Sequence, residues 1–155
     1  MSNHYKKEET REIIESLNEF LADTAIVYYK THSFHWNVEG SNFYGLHLMF
    51  EKFYTKLWKS MDETAERIRA LGERVAPNYA DLLQNATIEE SATAPQSQVM
   101  VQVLRNDYVV LSENALKISA IATAHGDLIT ADMMIKRATF LQKAAWMLHS
   151  TLIDD

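Results

Sequence analysis

The sequence predicts an all-α protein, a four-helix bundle with a short extra helix inside one long crossover. Three observations carry this. The 155 residues include only 4 Gly and 2 Pro, whereas strand-rich folds use turn residues at every reversal. Those breakers leave four long stretches free of both: the stretch ending at Glu39, then Leu46 to Leu71, Gln96 to His125, and Asp127 to Asp155. Each stretch carries an apolar stripe in alternating steps of three and four, the pattern of near-parallel helices packed side by side.

In the first stretch the stripe is Ile13, Leu17, Phe20 and Thr24, flanked by Ile14, Leu21, Ala25 and Tyr28. The second reads Leu46, Phe50, Phe53, Leu57, Met61, Thr64, Ile68 and Leu71. The third reads Val101, Leu104, Tyr108, Leu111, Ala115, Ile118 and Ala122, and the fourth Met134, Ala138, Leu141, Ala145, Leu148 and Leu152. Short links at Val38 to Tyr44 and around Gly126 make two antiparallel pairs. Glu73 to Pro95 is too long for a turn, so it crosses the bundle and sets the third helix parallel to the second, with Asp81-Leu82-Leu83 as a short helix on the way. One domain spans residues 1–155; residues 1–9 read as a mobile tail and Asp154-Asp155 as a frayed end.

Composition excludes several functions. With no Cys there is no disulfide framework, thiolate metal site or cysteine nucleophile. Isolated glycines cannot build a phosphate loop. Fifteen Lys and Arg against 21 Asp and Glu give a formal charge of −6, which opposes DNA binding by phosphate neutralisation. No secretory signal is visible, and no apolar run approaches the ~20 residues of a membrane helix. A cytoplasmic protein without membrane contact is the expectation.

The chemistry gathers on the second helix. His47 with Glu51, and Asp62 with Glu66, are i, i+4 pairs that share a face. Taken singly, each pair also reads as solvated surface. At ~100° per residue from Leu46, the core stripe centres near about 20° while the four residues fall between about 100° and 200°. Trp58, at about 120°, lies on the same flank, and a large aromatic there calls for cover. The flank therefore reads as an interface.

Glu51 and Asp62 stand about 16 Å apart along the axis at 1.5 Å per residue, while metal ligands lie within about 2.0–2.6 Å of their ion. One helix cannot bring both pairs to one cation. Two antiparallel copies about a two-fold axis can, and such a dimer contains two sites. His35, five turns after Leu17, approaches His47 across the short link and joins the set. Two imidazoles and several carboxylates suit Fe²⁺ or Zn²⁺, and open positions among mixed hard ligands are the redox-iron arrangement.

The run His35-Trp36-Asn37-Val38-Glu39-Gly40, then Asn42-Phe43, His47 and Asp62-x-x-x-Glu66 within Ala65-Glu66-Arg67, resembles the signature of the Dps family. These are the DNA-binding proteins from starved cells, or mini-ferritins, of the ferritin-like superfamily. The match runs along essentially the whole chain, to Thr130-Ala131-Asp132 opening the last helix. The resemblance implies a hollow dodecamer, built from two-fold dimers, that oxidises Fe²⁺ at intersubunit ferroxidase sites. The oxidant that the resemblance implies is preferentially hydrogen peroxide rather than dioxygen. It also implies that ferric mineral is stored inside and that this protects against oxidative stress.

The ligands implied are His35, His47 and Glu51 of one chain with Asp62 and Glu66 of the partner subunit; Zn²⁺, which the same donors suit, is the expected competitor of iron. The family commonly has Asp where this chain has Glu51, which moves the carboxylate by a methylene. The E-x-x-H motifs of larger ferritins are absent. Trp36 reads either as a quencher of stray radicals or as packing at a helix end. Asp127 and Asp132 read either as helix caps or, by the resemblance, as iron-entry pore residues. The alternative function is DNA compaction; only Lys6 and Lys7 supply a cationic tail, followed at once by Glu8 and Glu9, so DNA binding is expected to be weak or absent. A third reading is an iron-independent helical interaction module. His32, His125 and His149 read as surface or packing residues, His4 as part of the tail, Met133-Met134 as core and rim, and Tyr54 as filling the dimer contact.

Overall fold

A computed structural model describes residues 7–152 of the chain. Four long helices form the bundle: α1 (Lys7–Asn37), α2 (Phe43–Ala70), α4 (Ser97–Ala124) and α5 (Leu128–Ser150), with α3 (Tyr79–Leu83) a single short turn of helix in the crossover. No strand occurs among the described residues. α1 starts at Lys7, inside the stretch expected to be a tail; Glu8 and Glu9 in its first turn suit the positive end of the helix dipole. His4, Asp154 and Asp155 lie outside the described residues.

The predicted stripes are the core. Ile13, Leu17, Phe20, Phe50, Leu57, Ile68, Leu104, Tyr108, Leu111, Met134 and Leu148 are all buried, and only Met61 and Leu152 of the named stripe residues are half-buried. Long-range contacts fix the directions of the helices. His35 near the end of α1 meets His47 near the start of α2, so these two are antiparallel. His125, capping the end of α4, reaches Glu12 at the start of α1, with Nε2 and Oε2 2.6 Å apart. α4 is therefore antiparallel to α1, hence parallel to α2, as the crossover length required.

Buried polar groups that are hydrogen-bonded tie the elements together, as the cost of burying an unpaired one favours. Asp23 is fully buried on α1 and accepts the backbone N–H groups of Thr87 and Ile88 at 2.6 and 2.9 Å and the Thr87 hydroxyl at 2.7 Å. The crossover is thus pinned to α1 beyond α3. Lys30 donates to Asp107 and to the Glu89 carbonyl, at 2.8 and 2.7 Å, adding a second anchor.

Candidate metal centre

The link from α1 to α2 brings two histidines face to face. Gly40 adopts φ +105°, a left-handed conformation that an L side chain would strain, and lets the chain reverse within residues 38–42. The His35 and His47 rings stack with centroids 3.8 Å apart and 14° between planes. Each Nδ1 bonds the other residue's backbone carbonyl, His35 Nδ1 to the His47 oxygen at 2.7 Å and His47 Nδ1 to the His35 oxygen at 2.8 Å. A carbonyl only accepts, so Nδ1 carries a hydrogen in both rings, and Nε2 is the nitrogen left to offer a lone pair to a metal. Fixing a ring through its remote N–H is how metal-binding histidines are oriented.

The three carboxylates behave differently from their neighbours. Glu51, Asp62 and Glu66 are exposed, and none makes an ion pair or side-chain hydrogen bond with a described residue. Glu63, in the same stretch of α2, is bound by Arg137 and approached by Lys59. Asp62 and Trp58 line a groove of about 340 Å³ together with Pro77, Tyr79 and Leu82, and Trp58 is 61% exposed. Within one chain, then, His35 and His47 come together with Glu51 one turn further on, while Asp62 and Glu66 stand three turns along the same rod. Among the described residues no three His, Asp or Glu side chains converge on one point.

Sequence reasoning missed the aromatic surroundings of these histidines. The His32 ring stacks on Tyr54 at 3.8 Å, lies 4.0 Å from Trp36, and shares a 3.1 Å hydrogen bond with the Tyr28 hydroxyl through Nδ1. Its edge meets His35 at 5.9 Å, and Tyr54 meets His35 at 5.2 Å. Burial lowers the basicity of His32, with His35 adding to the effect, and burial raises the Tyr28 phenol. The signal was present: Tyr28, His32 and Trp36 are spaced i, i+4, i+8 on one helix face. Tyr54 packs inside the chain on His32 rather than only outward. Trp36 is 56% exposed, not packed away at a helix end.

Asp127 takes the capping role rather than the pore role. It is fully buried, receives the Thr130 backbone N–H at 3.0 Å and the Thr130 hydroxyl, and pairs with Arg67 Nη2 at 2.8 Å. Burial alone would raise this carboxyl, but the Thr130 and Arg67 hydrogen bonds outweigh it and hold it below the usual carboxylate range. A carboxylate consumed in this way cannot line a channel. Asp132 is exposed and pairs with Lys136 at 2.7 Å.

Comparison with known proteins decides the family: a ferritin-like domain matches residues 14–154. The chain belongs to the ferritin-like family. Its relatives place it among the Dps proteins. It is 35% identical over 142 residues to DNA protection during starvation protein 2 of Bacillus anthracis, covering 92% of this chain and 97% of that one. The crystal structure of a Dps protein from Bacillus brevis superposes with TM-score 0.91 at 33% identity, over 96% of this chain and 99% of that one. A Dps protein from Vibrio cholerae, described as a member of the ferritin-like diiron-carboxylate superfamily, gives TM-score 0.91 at 30% identity, covering 96% and 94%. Among the described residues of this Dps chain no helix is long and apolar enough to cross a membrane.

Proposed function

We propose that this Dps chain oxidises Fe²⁺ to Fe³⁺, preferentially with hydrogen peroxide, and stores the ferric product inside a hollow dodecamer. The observation that carries the reading is the pairing of two pre-oriented imidazole lone pairs with carboxylates that the chain itself leaves unpaired. Such unpaired groups on one flank, beside an exposed Trp58 and a groove, call for a partner. His35, His47 and Glu51 of one chain would hold iron together with Asp62 and Glu66 of the partner subunit, related by a two-fold axis. Zn²⁺, which accepts the same imidazole and carboxylate donors, would compete.

The donor set favours the chemistry. Hard anionic oxygens stabilise the higher charge of Fe³⁺ more than that of Fe²⁺ and so favour electron loss. Two irons held together would deliver both electrons that peroxide needs, which suppresses the one-electron step that releases hydroxyl radical. The longer Glu51 keeps the charge of the usual Asp while setting its oxygens further from the helix. Trp36, beside His35, would intercept a one-electron oxidant that escapes, and Asp132 would supply negative charge near the start of α5, where iron enters.

The test mixes two disabled chains. An Asp62→Ala/Glu66→Ala chain and a His47→Ala/Glu51→Ala chain, co-assembled, regain one complete site per mixed dimer. Anaerobic Fe²⁺ with peroxide should then be consumed at about two irons per peroxide, whereas each variant alone stays slow. Assembled mixtures that oxidise no faster than the separate variants would falsify the shared site.

DNA compaction is the second reading, favoured only by what the relatives are called. The formal charge of −6 and the acidic residues that follow Lys6 and Lys7 weigh against it.

A further inference from the structure

Tyr28 and His32 are not among the proposed iron ligands, yet they stand directly behind Trp36. The Tyr28 hydroxyl lies 3.1 Å from His32 Nδ1, and the His32 ring lies 4.0 Å from Trp36 at 35°. Tyr28 is half-buried while Trp36 is more than half exposed. Two other tyrosines are near, Tyr29 at 6.3 Å from Trp36 and Tyr54 stacked on His32. Neither phenol has a hydrogen-bond acceptor among the described residues. That difference matters because a phenol becomes a strong acid when it loses an electron. The electron therefore leaves readily only where a base already holds the hydroxyl hydrogen.

We propose that Tyr28 and His32 form a proton-coupled electron donor that refills Trp36 after Trp36 has been oxidised. The Tyr28 hydroxyl donates to Nδ1, so the one N–H hydrogen of the His32 ring sits at Nε2. A hydroxyl-radical-class oxidant takes a hydrogen atom from Trp36, giving water and a neutral indolyl radical. One electron then passes from Tyr28 to Trp36 across the His32 ring. The Tyr28 O–H bond breaks, an N–H bond forms at His32 Nδ1, and the exposed indole nitrogen of Trp36 takes a proton from water, leaving hydroxide. The products are intact Trp36, a neutral tyrosyl radical at Tyr28 and imidazolium at His32. The hole has moved from an exposed ring to a half-buried one that an external reductant repairs at leisure, and Trp36 is spared irreversible oxygenation. The relay rests on the ferroxidase reading only for its natural supply of oxidant.

The relay is therefore tested in metal-free assembled protein carrying Trp58→Phe and Trp146→Phe, so that Trp36 is the one indole. Azide radicals made by pulse radiolysis oxidise that indole, and the indolyl absorption should convert into tyrosyl absorption. Tyr28→Phe and His32→Phe should each abolish the conversion and leave the indolyl signal long-lived, while Tyr29→Phe and Tyr54→Phe should keep it. In protein with Tyr28 and His32 unaltered, electron–nuclear double resonance in D₂O should show an exchangeable deuteron coupled to the tyrosyl oxygen. This readout does not depend on any variant folding. Conversion that persists in folded Tyr28→Phe, conversion lost in Tyr29→Phe, or a radical without that deuteron overturns the relay. Fe²⁺ and peroxide, added to the unaltered assembled protein, separate the two readings. Transfer under radiolysis without iron oxidation would sink the ferroxidase and leave the relay standing.

Discussion

At the scale of single residues, Asp127 shows how a side chain with two readings is assigned by its partners. It caps α5 and neutralises Arg67, which also donates Nε to Thr130 at 2.9 Å. Removing one member of a buried pair strands the other charge, at a cost of about 3–5 kcal/mol. Asp127→Ala should lower stability by that order in denaturant unfolding at fixed protein concentration, since assembly shifts the apparent value. The carboxyl titrates below its ordinary range in the folded chain, so its contribution is complete above the usual aspartate pKa. It is lost as pH falls through the lower folded value. The stability of Asp127→Asn, measured down the acid range, should accordingly fall less steeply than that of the parent. Spacing placed Asp127 at the head of α5, but whether its carboxylate faces solvent or Arg67 depends on sixty residues of intervening chain. Sequence could not decide that.

At the scale of elements, the long helices were legible because alternating steps of three and four persist over many turns, and the buried stripe residues follow them closely. The short α3 was legible too, since Asn78 accepts the Asp81 N–H as its cap. The anchoring of the crossover was not, because Asp23 on α1 and Thr87 are linked by no local pattern. Asp23→Ala leaves two backbone N–H groups without their acceptor, each costing about 1–3 kcal/mol if they stay buried. Limited proteolysis should then cut within residues 84–95 much faster, while far-ultraviolet circular dichroism stays close to that of the parent. Equal cleavage rates would show that Lys30 and its hydrogen bond to Glu89 hold the segment unaided. The aromatic run on α1 was visible as spacing alone. Its meaning needed Tyr54, brought alongside from α2 by the hairpin.

At the scale of the whole molecule, the chain presents unpaired carboxylates, an exposed Trp58 and a groove on one flank, and helix length alone keeps the two halves of the proposed site apart within one chain. A straight helix separates Glu51 from Asp62 whatever the rest of the fold does. The ring geometry of His35 and His47 lay beyond that reasoning, because it depends on how a five-residue link closes. Charge acts at this scale as well. With −6 per chain, iron-free protein should not retard duplex DNA in a gel shift at physiological salt. Tight retardation there would show that residues 1–7 contribute more than their composition indicates.

The mutual grip of His35 and His47 on each other's main chain would have a consequence for how the proposed metal arrives. Both rings are held in place through Nδ1 before any cation comes, so binding at this half of the proposed site would not have to turn them. The half-site is a rigid socket. Under the proposed shared site, its filling would depend on the partner subunit already seated against it, so that assembly of the shell precedes iron uptake.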